Sequence, residues 1–196
     1  MPVFNTEELL RLLTADVQQV LASTERIRSL DGITLNTAPV PGKWSVVQIV
    51  EHLNSYNRYY LPEIEKALSN GKNIRLAPRF KSGWFGNYFT NMMLPKTDGT
   101  VANRMNAPKD HTPPSELNAE KVIAEFINGQ QKLIRLLTAA EKTDIGKLKV
   151  PISISRFIRL KLGDTFRFLV AHQQRHFVQL ANALETVNIG RAKALA

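Results

Sequence analysis

The chain has 196 residues, 43% of them hydrophobic and 22% charged, which suits one soluble globular domain with a sizeable core. It has no cysteine, which excludes disulfides, thiolate metal ligands and a cysteine nucleophile. The formal net charge is +9, and a nucleic-acid reading of that excess requires the charge to be clustered.

It is partly clustered. Residues 142–167 carry Lys142, Lys147, Lys149, Arg156, Arg159, Lys161 and Arg167 against Asp144 and Asp164, a net of +5. No helix-turn-helix, zinc-finger or aromatic-basic RNA motif accompanies them. A solvated basic surface is the first reading, an anionic small substrate or phosphate the second, and DNA or RNA the last. The N-terminal residues lack a basic region followed by an apolar core, and no apolar run approaches the roughly 18 residues of a membrane span. The expectation is a cytoplasmic protein with neither a membrane nor a nucleic-acid partner.

In chain order, the first helix is expected over residues 6–30. Asn5 and Glu8 fit a capping box, and Leu10, Leu13, Val17, Val20, Leu21, Thr24, Ile27 and Leu30 form a buried stripe. Asp31-Gly32 reads as its stop. After a connection over residues 33–43, a second helix starts at Ser45. Ser45 and Gln48 fit a capping box, and Trp44 with Ile49 fits a hydrophobic staple. Its buried stripe is Ile49, His52, Leu53, Tyr56, Tyr60 and Ile64, so His52 stands among core positions. Pro62 is expected to kink or shorten this helix, and Asn70-Gly71 to end it.

Residues 72–114 are punctuated by prolines and turn signals, with one short helix expected over residues 82–94. There Trp84, Tyr88 and Met92 form one row, and Phe85, Phe89 and Met93 another. Such apolar side chains call for a cover: they cap the core, line a pocket or meet a second subunit. His111, in the loop that follows, reads as a solvated side chain. The next long helix is expected over residues 115–140, with Ser115 as N-cap, a core face from Val122 to Leu137, and Gly129 interrupting it at modest cost. In the linker over residues 141–163, Val150, Ile152 and Ile154 alternate like a short extended piece, whereas Phe157, Ile158 and Leu162 suggest a helical turn. Asp164 is the expected cap of the last helix, which runs to about residue 187.

On that helix Phe166, Leu169, Val170, Gln173, Phe177, Leu180 and Leu184 recur at helical spacing. His172 and His176 are four apart, hence neighbours with Cβ atoms about 6 Å apart. Four long amphipathic helices without strand-helix alternation mean an all-α four-helix bundle, and bundles build metal sites from facing helices. A lone buried histidine usually just hydrogen-bonds a neighbour. Three of the chain's four, all on core stripes and two at ligand spacing, favour one divalent metal on His52, His172 and His176 with a fourth position open. Neutral imidazoles leave the full charge on the ion, so that a bound water or thiol ionises more readily. Gln48 and Gln179 are candidates for orienting the ligands; Glu51 and Glu63 are weaker candidates for a general base.

Lys43-Trp44-Ser45 at a helix start, Glu51-His52-Leu53, and His172-x-x-x-His176-x-x-Gln179 together resemble the DinB/YfiT-like metalloenzyme family over most of the chain. The resemblance implies an up-down-down-up bundle, a divalent ion, often nickel or zinc, on His52, His172 and His176, and frequent homodimers. Some members are thiol-dependent S-transferases or isomerases using low-molecular-weight thiols. The departure is the long aromatic insertion over residues 72–114, beside the metal, where specificity should be set. The expected function is therefore a metal-dependent transferase or hydrolase acting on a small molecule. The alternative is a non-catalytic metal-binding or stress-associated interaction protein that keeps the fold.

Overall fold

The computed structural model describes residues 1–71, 75–96, 99–101 and 105–195. Lys72, at the start of the inserted segment, and Ala196 lie outside the described residues. The described chain is mostly helical: six α-helices and one 3-10 turn, with four short strands in two antiparallel pairs.

Helix α1 spans Thr6–Arg28. The Asn5 side chain accepts from the Glu8 amide at 3.0 Å, Glu7 and Glu8 sit at the positive end of the helix dipole, and Arg26 and Arg28 at the negative end. Asp31 does more than follow the stop. Its Oδ1 accepts from the Thr34 amide at 2.9 Å and starts a five-residue helix, α2, Gly32–Asn36. Helix α3 spans Val46–Asn70 and opens on the Ser45–Gln48 capping box that the sequence shows. Pro62 does not shorten it: buried Tyr56, Tyr60, Leu61, Ile64 and Ala67 hold the turns on both sides of the proline. Packing outweighs the one hydrogen bond that the ring removes.

Two further corrections concern the linkers. Residues 157 and 158 are strand, not helical turn. β3 (Lys149–Ile152) pairs with β4 (Ser155–Lys161), with Val150 opposite Leu160, both buried. The alternation of Val150 and Ile152 thus extends across the turn into the partner strand. Helix α5 spans Ala119–Ala140 and is capped by Asn118, whose side chain accepts from Lys121 N, rather than by Ser115.

Two elements of the inserted segment are tied to the rest. β2 (Arg79–Lys81) pairs with β1 (Val3–Asn5). Helix α4, Trp84–Met93, packs on the last helix, α6, Leu162–Leu195. Asp164 lies in the first turn of α6 and is fully buried. It accepts from Ser82 Oγ at 2.5 Å, Gly83 N at 2.8 Å and Arg167 at 3.2 Å. A Cβ on Gly86 would lie 2.2 Å from Asp164 Cγ, so α4 can approach this closely only with glycine there. Of the two aromatic rows, Phe89 and Met93 pack inward, whereas Trp84, Phe85 and Tyr88 remain exposed. Within the single chain the core therefore covers Phe89 and Met93 and leaves Trp84, Phe85 and Tyr88 for another cover.

The core is two apolar clusters drawn mainly from α1, α3, α5 and α6, with residues such as Leu35, Phe80, Met93 and Val150 added from the shorter elements. One is built on residues such as Ile64, Leu133, Phe166 and Leu169, the other on Ile49, Leu53, Phe126 and Leu180. Helices α3 and α5 run parallel, as Asn54 on Val122 O and Lys132 on Glu65 show, whereas α3 and α6 run antiparallel. That crossing brings the N-terminal half of α3 against the N-terminal half of α6. No described helix is long and apolar enough to cross a membrane.

Candidate metal centre

His52 projects from α3, and His172 and His176 from successive turns of α6; all three are buried. The Nε2 atoms of His52 and His172 lie 3.3 Å apart, and those of His176 and His172 3.1 Å apart. One ligand atom from each ring lies within 4.8 Å of the others, and among the described residues this is the cluster that could hold a metal ion.

The other ring nitrogens decide where the protons sit. His52 Nδ1 lies 2.7 Å from the carbonyl oxygen of His111. A carbonyl only accepts, so Nδ1 of a neutral His52 carries the hydrogen and Nε2 the lone pair. His176 repeats the pattern, with Nδ1 at 2.9 Å from Gln179 Oε1. Both lone pairs then face Nε2 of His172, which can donate to only one of them. Three imidazole nitrogens that share at most one proton are a poor hydrogen-bonding set and a good cation-binding set.

The surroundings keep the rings neutral. Burial, opposed in part by the His111 carbonyl, pushes His52 down to about 4. Burial, with the His52 ring beside it, takes His176 to about 3. His172 is driven well below the ordinary range by burial, then by His176 and His52. Neutral imidazole is the form that binds a metal. Aromatic rings make the wall: Trp44 lies 5.0 Å and Tyr56 5.1 Å from His52, and Phe168 stacks on His172 at 5.8 Å.

His111 corrects the sequence reading. It is 7% exposed, not solvated; its ring stacks on Tyr56 at 3.9 Å, and Ser55 Oγ lies 2.8 Å from its Nδ1. Its backbone oxygen is what orients His52. The available signal was weak: Pro108, Pro113 and Pro114 bracket the residue and stiffen the segment that delivers it. Gln179 stands where the sequence puts it, on the His176 ring. Gln48 is turned away from the three histidines: it closes the α3 cap and donates from Nε2 to Pro114 O, holding the end of the His111 loop. Glu51 is turned to Arg58, which also binds Glu125, so it is not a base at this centre.

Mostly helical architecture with three buried histidines from two facing helices defines a protein built around a metal-capable core. The DinB superfamily model matches residues 18–180, a span that holds all three histidines, and the chain belongs to that superfamily. No curated protein and no solved structure matches the chain.

Proposed function

We propose that His52, His172 and His176 bind one divalent cation, zinc or nickel, through their Nε2 atoms, and that the protein is a metal-dependent transferase or hydrolase acting on a small molecule. A low-molecular-weight thiol is the favoured co-substrate class. In the same reading α1, α3, α5 and α6 form one up-down-down-up four-helix bundle over a single domain. The inserted segment, residues 72–114, sets specificity, and two copies pair as a cytoplasmic homodimer. The helix directions described above support the bundle.

The observation that carries the metal reading is the pair of Nδ1 anchors, the His111 carbonyl and Gln179 Oε1, which leave two lone pairs aimed at a third imidazole. When bound, the ion supplies Lewis-acid charge that lowers the pKa of a coordinated water or thiol. The chain's own part is positional. Gln179 and the His111 carbonyl fix the ring tautomers, and Trp44, Tyr56 and Phe168 exclude bulk water and keep the local dielectric low.

Elemental analysis of protein purified without a nickel column tests the reading. About one divalent ion per chain is expected, as for other three-histidine sites. His176→Ala should abolish stoichiometric binding while the helical circular dichroism signal stays unchanged. Wild-type protein that holds no ion, and takes up neither zinc nor nickel on titration, would overturn the proposal.

A further inference from the structure

The positive charge is segregated. Residues 72–114 contain seven basic and two acidic residues, and residues 142–167 again seven and two; all the rest of the chain contains twelve and thirteen. The whole net charge therefore resides in the inserted segment and the hairpin region, and the remainder is close to neutral. Both regions also expose large apolar side chains. Trp84, Phe85 and Tyr88 on α4 are 61%, 51% and 53% exposed, and Ile154 and Phe157 on the hairpin 62% and 99%.

The two regions meet. β2 leads through Ser82 and Gly83 directly into α4, α4 touches β4, and Lys161 Nζ donates to Lys81 O at 2.8 Å. On β4 the alternation puts Phe157, Arg159 and Lys161 on one face, with Lys149 opposite Lys161. Phe157 stands about 13 Å along the strand from Lys161. Arg79, Lys81, Lys149 and Arg159 are exposed, and β2, α4, β3 and β4 contain no acidic residue.

We propose that this face, the outer side of α4 with the β3–β4 hairpin, docks the protein on an anionic phospholipid surface. The tryptophan, tyrosine and phenylalanine side chains enter the headgroup boundary, and the flanking arginines and lysines pair with lipid phosphates. Two observations select this occupant over others. Trp84 and Tyr88 stack on each other at 5.8 Å and 6°, which takes one face of each ring from a nucleic-acid base, and Ile154, 62% exposed, offers a base no ring at all. A two-fold pairing of the same face would bring its basic residues against their own copies. The sequence reading expected no membrane partner because it considered spanning segments, and surface docking needs none.

Co-sedimentation of the full chain with vesicles tests the proposal. Binding to vesicles of phosphatidylcholine with phosphatidylglycerol should exceed binding to pure phosphatidylcholine by about tenfold or more at low salt, and should fall as salt rises. Trp84 emission should shift to the blue on binding, a shift lost in Trp84→Phe, which still binds. The Trp84→Ser/Phe157→Ser variant, whose replaced side chains are exposed, should fold normally and lose about tenfold or more of the binding. Equal binding to both vesicle types, or none to either, would overturn the proposal. So would wild-type protein that binds an RNA oligonucleotide but not vesicles, or a dimer that this double variant dissociates while vesicles stay unbound.

Discussion

Around His52 and His172 the rings of Trp44, Tyr56 and Phe168 turn inward and surround groups that burial keeps uncharged. On α4 and the hairpin, Trp84, Tyr88 and Phe157 turn outward among arginines and lysines. The two regions use the same residue types to opposite ends. The inner one is buried and leaves at most one proton among three facing ring nitrogens, a set that a cation could satisfy. The outer one keeps its charges hydrated and its rings uncovered, so its chemistry is that of a surface awaiting a partner. Asp164 and Arg167 lie at the boundary and join the two.

The largest expected effect falls at that boundary. Asp164 and Arg167 are buried, and the carboxylate also holds Ser82 and the Gly83 amide at the start of α4. Asp164→Asn removes the charge that compensates a buried guanidinium, and should destabilise the fold by about 3–5 kcal/mol in urea unfolding. A loss below about 1 kcal/mol would mean that α4 is held by its apolar contacts with Phe168 instead.

Next is pH. In the unfolded chain a histidine takes up a proton near 6.5, whereas folded His52 does so only at about 4 and His176 at about 3. The unfolded state therefore binds more protons in this window, and stability falls as pH falls. The slope is about 1.4 kcal/mol per pH unit for each such histidine, beginning near 6.5 and, for His52, levelling off below about 4. Chelator-treated protein unfolded at several pH values should show this slope, and His52→Asn should flatten it. An unchanged slope in the variant would place the proton uptake elsewhere. Any bound ion should be released over the same acid range, because a protonated ring has no lone pair to offer.

A smaller effect separates the three histidine rings from the groups that orient them. Gln179→Leu removes the oxygen that fixes His176 Nδ1 without touching the core. Metal affinity should drop by about 10–100-fold with little change in unfolding free energy. Competitive titration against a coloured chelator reads the affinity. Unchanged affinity would show that ring orientation is set by packing against His52 and His172.

The inner region was legible in the sequence because its signals are local and periodic. The Ser45 capping box, the three-and-four spacing around His52 and the four-residue step from His172 to His176 are each read within one helix, and facing helices follow from their apolar stripes. What could not be read is set by contacts between distant segments. His111 looks like any loop histidine until residues 109–111 fold onto Tyr56. Asp164 looks like a helix cap until Ser82 arrives from 82 residues away. Phe157 and Ile158 fit a helical turn or a strand equally well until Leu160 pairs with Val150. The fate of the aromatic row on α4 could not be decided from spacing, because which side is buried depends on where Gly86 meets Asp164.

The smallest effect expected is the one that tests the outer region most directly. Trp84 stacks on Tyr88 and meets Phe85 edge-on, yet more than half of its surface is in water, and Phe157 is 99% exposed. An exposed side chain loses little apolar burial when it is removed, and surface changes of this kind usually fall within about 0.5 kcal/mol of wild type. Trp84→Ser and Phe157→Ser should each leave the urea midpoint nearly where it was, whereas Leu133→Ala, at a site with no exposure, should cost about 2–5 kcal/mol. For Trp84 the ring contacts with Tyr88 and Phe85 add at most a few tenths of a kcal/mol to the loss in so open a setting. For Phe157 not even that term is present. If either exposed variant cost as much as Leu133→Ala, its ring would have to be buried in solution. The cover would then be a second copy of the chain, and the midpoint would shift with protein concentration.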